Sequence, residues 1–384
     1  MEAIEKETAT LSASVGADAG QPPVKNNTMI VPETSPQSNP TDTEMDAILR
    51  EMEEINSDGY IHTVSHNDLL NTSYAEKQSI IDDLLYTGAY ILAGAPKIGK
   101  SFLVAQISHH VSTGEPLWGY RVRQCDVLYL ALEDDEHRLQ SRMYRMYGIE
   151  GTDHLRFATS AKQVGSGLNT QLEYALNRYP KTRLVIVDTL QKVREISGDN
   201  YSYANDYQVI GALKEFADTH HICILIVHHT RKQPAGDTFE MISGTTGLLG
   251  CADGALLMQK EKRTSVNATL DIVGRDQPEQ RLFLIKNLES LIWELDRAEN
   301  ELWKEPPDSL LIAINELLSE SLTEWQGSAT ELSKALQIEM QANALTKRLN
   351  VRAGKLLNEY GIQYQNSHSR SGSRITLRRI SSEV

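Results

Sequence analysis

The chain reads as an α/β protein: a parallel sheet with antiparallel strands added at its edge, followed by a small winged-helix-like domain. Three observations predict this. Between residues 78 and 229 short apolar runs alternate with helical patterns, as in a parallel sheet covered on both faces. Beyond His229 the apolar runs follow one another without long helices between them. From residue 308 onward three helical patterns precede two short apolar runs that carry arginines.

Taken in order, residues 1–42 are rich in Ser, Thr, Pro, Gly and carboxylates with no sustained period, and are expected to be a disordered acidic tail. Residues 43–77 form a helical linker: Thr43 to Asp46 is a capping box, and Met45, Ile48, Leu49, Met52 and Ile55 recur at helical spacing. That helix packs on its own domain or docks on a neighbouring subunit. Residues 78–304 hold the strands "AYILAG", "DVLYLAL", "LRFAT", "RLVIVDT" and "CILIVHH", with helices between them such as "SFLVAQISHHV" and "YQVIGALKEFADTH". "GALLMQ", "ATLDIV", "RLFLIK" and "LIWEL" are expected as the antiparallel edge strands. "EPPD" at 305–308 is a linker, because two prolines cannot continue a regular element.

A length of 384 residues accommodates one large domain and one small one. With 40% hydrophobic and 23% charged residues the composition is that of a soluble globular protein, and no apolar run approaches the roughly 20 residues of a membrane helix. The N-terminus has neither an apolar signal core nor a basic transit pattern, so a cytoplasmic location is expected. Cys125, Cys223 and Cys251 are widely spaced, which speaks against a disulfide framework or a zinc knuckle. A net charge of −14 excludes a protein that coats nucleic acid indiscriminately, but the charge is uneven. The first sixty residues carry only Lys6, Lys25 and Arg50 as cations, whereas from residue 341 eight Lys and Arg face only Glu359 and Glu383.

The most specific stretch is "GAPKIGKS": Gly94, Ala95, Pro96, Lys97, Ile98, Gly99, Lys100 and Ser101, with Phe102 opening the helix that follows. It fits GxxxxGK[ST] in full and lies between a strand and a helix, as the motif requires. Glycines let backbone N–H groups converge on phosphate oxygens at a helix N-terminus, whose dipole favours negative charge. Lys100 is placed to hold the β- and γ-phosphates and Ser101 to bind Mg2+. Asp188, ending the buried strand "RLVIVDT", is the candidate carboxylate on the magnesium side; a cap on the following turn is the plainer alternative. Glu133, ending "VLYLALE", is the candidate base. Asp134 and Asp135 are explained equally well by the dipole of the next helix.

Together "PKIGKS", "YLALED", "VIVDT" and "IVHHTRK" make residues 78–290 resemble the RepA group of RecA-like P-loop ATPases, hexameric replicative helicases of plasmids and mobile elements, with DnaB and RadA as kin. The resemblance implies a RecA-like P-loop NTPase core, ATP with Mg2+, a homo-oligomeric and hexameric ring, DNA as substrate, and a primase or initiator of the same element as partner. It implies that Glu133 is the base, that Asp188 stands at the Walker B position, and that His229 contacts the γ-phosphate. Adjacent residues of a strand face opposite ways, so His228 and His229 are a poor metal pair or catalytic dyad; His228 packs, and two solvated histidines at a strand end remain the bland alternative. Arg231 and Lys232 then open a loop, with Gly236, Gly244 and Gly247, that faces DNA in a central channel. An arginine reaching across from the next subunit is expected; Arg275 is the candidate, with Lys262 and Arg263 as rivals, since the KxRxG form of DnaB and RadA is absent. The absence of NKxD favours ATP over GTP.

In residues 308–384, "DSLLIAINELLSE", "GSATELSKAL" and "QANALTKRLNVRAGKLLNEYG" read as helices, and "GIQYQN" and "RITLRRI" as a hairpin, which is a winged-helix outline. Arg348, Arg352 and Lys355 fall at i, i+4 and i+7 as one positive stripe for DNA, joined by Arg370 and Arg374 on the wing. A protein-docking module or a solvated basic face would share this outline. The reading that results is an oligomeric DNA-dependent ATPase, a RepA-like helicase or translocase of a mobile element. The alternative is an ATP-switched DNA-binding regulator or loading ATPase that does not unwind.

Overall fold

The structure, a computed structural model, describes residues 59, 61, 63–74, 76–194, 203–229, 250–262, 264–300, 307–318, 322–369 and 372–380. The tail 1–42, the helix expected over 43–55, the loop carrying Arg231 and Lys232, Arg263 and Arg370 lie outside the described residues.

The chain enters through α1 (His66–Asn71), capped by the Ser65 side chain, and a small hairpin of β1 (Ser79–Ile81) and β2 (Leu85–Tyr86). Among the described residues the main sheet has nine strands. It is built from β3 (Gly88–Gly94), α2 (Lys100–Thr113), β4 (Asp126–Ala131), α3 (Glu136–Tyr147), β5 (Leu155–Ala158), α4 (Leu168–Arg178), β6 (Thr182–Asp188), the short α5 (Leu190–Val193), α6 (Tyr203–His220) and β7 (Cys223–His229). Strands β8 (Gly254–Gln259), β9 (Asn267–Gly274), β10 (Gln280–Lys286) and β11 (Trp293–Asn300) complete it, in the spatial order β11-β10-β9-β8-β3-β7-β6-β4-β5.

Strands β3 to β8 all run parallel, and β9, β10 and β11 are antiparallel. The mixed sheet expected from the sequence is present, with one correction. "GALLMQ", expected as an antiparallel edge strand, is β8, and it pairs parallel with β3, Tyr90 facing Gly254 and Ala93 facing Leu257. The stretch between His229 and Gly254 is long enough for the crossover that a parallel neighbour needs, whereas a hairpin would be short.

Alternation along the strands divides the core. Tyr90 and Leu92, Tyr129 and Ala131, Leu184 and Ile186, and Leu225 and Val227 share one face with Leu103, Val104 and Ile107 of α2 and Leu139 of α3. Ile91 and Ala93, Val185 and Val187, and Ile224 and Ile226 share the other with Leu168 of α4 and Leu213 of α6. Residues on both sides of these strands are fully buried, which is why they read as unbroken apolar runs.

A separate core gathers Leu310, Ile314, Leu332, Leu345, Leu349, Leu356, Ile375 and Leu377. Its elements are α7 (Ser309–Leu317), β12 (Glu324–Gly327), α8 (Ala329–Ala335), α9 (Ala342–Tyr360), β13 (Ile362–Ser369) and β14 (Gly372–Arg379), with sheet order β12-β14-β13. The capping box expected at Ser328 and Glu331 is formed. Strand β12, between the first two helices, is an element that the sequence pattern did not reveal.

Candidate nucleotide-binding site

Four adjacent strands end at one place. Gly94 pairs with His229, Asp188 with Val227, and Ala131 with Asp188, so the ends of β3, β7, β6 and β4 lie side by side. Parity in each strand then decides which way the side chains point. Asp188 follows Leu184 and Ile186 and His229 follows Leu225 and Val227, both on the face that α2 covers, while Glu133 stands in the turn just past β4 and is oriented by its contact with Thr189. His228 has the opposite parity and is buried. The two histidines therefore cannot serve one metal or one substrate together.

Between β3 and α2 the chain turns with Lys97 and Gly99 at positive φ, 65° and 110°. Gly99 is the N-cap of α2 and supplies no side-chain cap. A Cβ at Gly99 would lie 2.8 Å from the Trp293 ring, so both its φ and its neighbour require glycine. Trp293 comes from β11; its backbone N–H and C=O exchange hydrogen bonds with the Gln106 side chain, at 2.8 and 2.9 Å, and fix the indole beneath the loop.

Lys100 is buried and its Nζ donates to Gly94 O at 2.7 Å and Ala95 O at 3.1 Å, and lies 3.0 Å from His229 Nδ1. Burial pushes its pKa down to about 8 against the pull of Asp188 and Glu133. The ammonium is thus held among carbonyl and imidazole acceptors that an anion could replace. Burial and the Lys100 charge lower the pKa of His229. A neutral imidazole with Nδ1 accepting from Lys100 leaves Nε2 as its donor.

Asp188 accepts from Tyr129 Oη at 2.9 Å and from the Ser101 side chain; burial raises its pKa while these two donors oppose the rise. A buried carboxylate beside a hydroxyl at a phosphate-binding loop is a hard oxygen donor set of the kind that suits Mg2+. Glu133 Oε1 accepts from Thr189 Oγ1 at 3.1 Å, which aims the carboxylate at the same region.

Tyr129 and Thr189 are supporting residues that sequence reasoning missed, although each stands close to a motif: Tyr129 lies on β4 shortly before Glu133, and Thr189 follows Asp188. Also missed is a set of cations around Phe102. Lys286 Nζ lies 3.8 Å from the Phe102 ring centroid and Arg142 Cζ 5.3 Å from it, while Lys260 Nζ is 5.0 Å from the Trp293 centroid. Burial, Lys260, Arg145 and Arg142 push the Lys286 pKa down to about 8. These charges flank the first turn of α2, where a polyphosphate would run.

The structure does not bring Arg275 to this place. It follows β9, whose end pairs with the start of β8, Gly274 facing Gly254, at the opposite end of the sheet from the loop. It is exposed, and its guanidinium donates to Gly250 O at 3.0 Å. Lys262 is exposed, beyond β8. In the C-terminal part the stripe of Arg348, Arg352 and Lys355 lies along α9, but Asp308 holds Arg348 at 2.8 Å and Arg352 at 3.5 Å, and Lys355 faces Glu359 at 3.7 Å. Arg374 is exposed on β14.

Residues 60–235 match the profile of a family described as an AAA domain, which supports a P-loop ATPase reading of that region. No curated protein sequence matches the chain. Among solved structures the chain is similar to an ATPase domain at 14% identity and TM-score 0.46, over 67% of this chain and 99% of that one. It is also similar to a DnaB-like replicative helicase, whose structure was described with its interactions with primase, at 14% identity and TM-score 0.46, over 66% and 68%. A KaiC-like protein of Pyrococcus horikoshii OT3 is similar at 10% identity and TM-score 0.42, over 59% and 99%. Among the described residues no helix is long and apolar enough to cross a membrane.

Proposed function

We propose that this chain is an oligomeric, DNA-dependent ATPase of the RepA-like helicase type, in which hydrolysis of ATP drives translocation on DNA or its unwinding. The observation that carries the reading is the convergence of Lys100, Asp188, Glu133 and His229 at the ends of four adjacent strands. In this reading Lys100 exchanges its two carbonyl partners and His229 for β- and γ-phosphate oxygens. Ser101 and Asp188 would hold Mg2+, which would supply charge neutralisation at the phosphates. Glu133, steadied by Thr189, orients the attacking water and takes its proton. His229 touches the lysine that would sense the γ-phosphate, and only Thr230 separates it in sequence from Arg231 and Lys232, so a change at His229 is two residues from the first cation assigned to DNA.

The remaining assignments rest on the sequence resemblance. Arg275, far from its own chain's Lys100, would act on a nucleotide held by a second copy in a hexameric ring. The ATPase domain would span 78–304 and a winged-helix DNA-binding domain 308–384; the succession α7, α8, α9 and the β13–β14 hairpin supports the latter, with β12 inserted between α7 and α8. Arg348, Arg352, Lys355, Arg370 and Arg374 would contact DNA phosphates, and a primase or initiator of the same element would be the protein partner.

The test is ATP hydrolysis without DNA, with single strands and with duplex, using Lys100→Ala as the blank. Strong stimulation by single strands that vanishes in the blank supports a motor. A Lys100-dependent rate indifferent to DNA would replace it by the second reading, an ATP-switched regulator or loading ATPase. The engagement of Arg348 and Arg352 by Asp308 favours that second reading, because it leaves fewer cations of α9 ready for phosphate. Unwinding of a forked duplex separates the two.

A further inference from the structure

Helix α9 contains a glycine, Gly354, in its interior, where glycine weakens a helix relative to alanine. Its neighbour supplies the reason. A Cβ at Gly354 would lie 2.8 Å from Glu76 Cδ and 2.9 Å from Glu76 Cβ, so the Glu76 side chain sits against α9 at a distance only glycine allows, at one end of a strap formed by residues 66–74 and 76. Along this strap Lys347 Nζ donates to Asn67 Oδ1 at 2.7 Å, and Asn350 Nδ2 donates to Asn71 O at 2.9 Å and Leu70 O at 3.2 Å. Asn358 Nδ2 donates to Glu76 Oε2 at 2.9 Å.

At 3.6 residues per turn, Lys347, Gly354 and Asn358 fall within about 40° of one another, and Leu345, Leu349 and Leu356, which enter the core, lie about 180° away. The strap thus runs along the face of α9 opposite the core and occupies part of it, leaving Val351 and Asn358 exposed; this is the face a recognition helix must lay into a major groove. The stripe of Arg348, Arg352 and Lys355 runs about 100° round from it, partly held by Asp308. The far end of the strap is fastened to the main sheet: Lys77 Nζ lies 3.1 Å from Asp253 and 3.0 Å from Asp276, next to Arg275. Asp253 is buried and also bound by Lys214 and Ala89 N–H.

We infer that this face of α9 is a shared binding surface, on which residues 66–76 and duplex DNA are mutually exclusive occupants, so that the C-terminal module engages DNA only when the strap lifts. The inference rests on the DNA-binding reading of that module. Because the strap is fastened to the sheet beside the residue assigned to contact between copies, assembly of the ATPase is placed to control its release.

Gly354→Ala tests this in the full chain. Alanine is the better helix former, so the module keeps its fold while the new methyl collides with Glu76. Hydrogen–deuterium exchange of residues 66–76 should rise, and if docking holds about nine molecules in ten closed, affinity for a short duplex should tighten about tenfold. The double variant Glu76→Gly with Gly354→Ala moves the bulk from one side of the contact to the other and should return both readouts toward wild type. Exchange unchanged by Gly354→Ala would overturn the inference. So would a released strap with unchanged duplex affinity that Arg374→Ala still weakens, since the module would then bind DNA without regard to the strap. A released strap with duplex affinity indifferent to both Gly354→Ala and Arg374→Ala would remove the DNA-binding role of the module, and the inference with it.

Discussion

Burial holds the Lys100 ammonium at about 8, well below the 10.5 of a free lysine, although Asp188 and Glu133 pull the other way. A bound triphosphate places several negative charges against Nζ and restores the ordinary value. That displacement is worth about 3 kcal/mol, at about 1.4 kcal/mol for each tenfold in the proton equilibrium. Nucleotide binding should therefore take up protons: about 0.1 per site at pH 7, about 0.5 at pH 8 and about 0.9 at pH 9. Affinity for the triphosphate should fall toward tenfold for each pH unit above about 8. In the nucleotide-free protein the unfolded chain binds more protons at this lysine between pH 8 and 10.5, so its contribution to stability rises with pH over that window. Isothermal titration calorimetry with a non-hydrolysable ATP analogue, in buffers of different ionisation enthalpy at pH 7, 8 and 9, measures the uptake directly. An uptake that stays flat across the three pH values would refute the buried-lysine argument.

Glu133→Gln should keep ATP affinity while single-turnover hydrolysis drops by about a hundredfold or more, as for loss of a general base; near-normal turnover would take Glu133 out of that role. His229→Asn removes the Nδ1 contact to Lys100 and should leave basal hydrolysis within a few-fold while abolishing its stimulation by DNA; retained stimulation would disconnect the histidine from the following loop. Gly99→Ala forces an L side chain to φ 110° against the Trp293 ring and should weaken a fluorescent ATP analogue by about tenfold or more, with unchanged affinity showing that the loop yields. Asp308→Asn preserves the N-cap of α7 but removes the carboxylate charge beside Arg348 and Arg352; duplex binding should tighten and its salt dependence steepen by about one phosphate contact, and an unchanged slope would show that Arg348 does not reach DNA.

The readable parts of the sequence were those set by local pattern. Parity along β6 and β7 places Asp188 and His229 on one face, Glu133 follows directly on the end of β4, and the loop motif announces Lys100, because all depend on spacing within a few residues. What was not legible depends on partners distant in sequence. "GALLMQ" is apolar on both sides whether it pairs parallel or antiparallel, so only its neighbour β3 settles the direction. The four residues of β12 carry no alternation of their own and become a strand by pairing with β14. Gly354 looked like a flaw in a helix until Glu76 was placed against it. The stripe on α9 was visible as a pattern of charge, while its neutralisation by Asp308, forty residues earlier, was not.

Trp293 joins the first and last parts of the ATPase sheet: it props Gly99 and is clasped by Gln106, yet it emerges from the ribosome almost two hundred residues after them. A nascent chain released before β11 would have every residue of its phosphate loop and no floor beneath it. The segment matched by the AAA domain profile ends at residue 235, so a fragment cut to that length should bind nucleotide poorly even where it folds. Competence to bind ATP would then arrive late in synthesis, after the sheet has closed, and an incomplete chain could not draw on the cell's nucleotide.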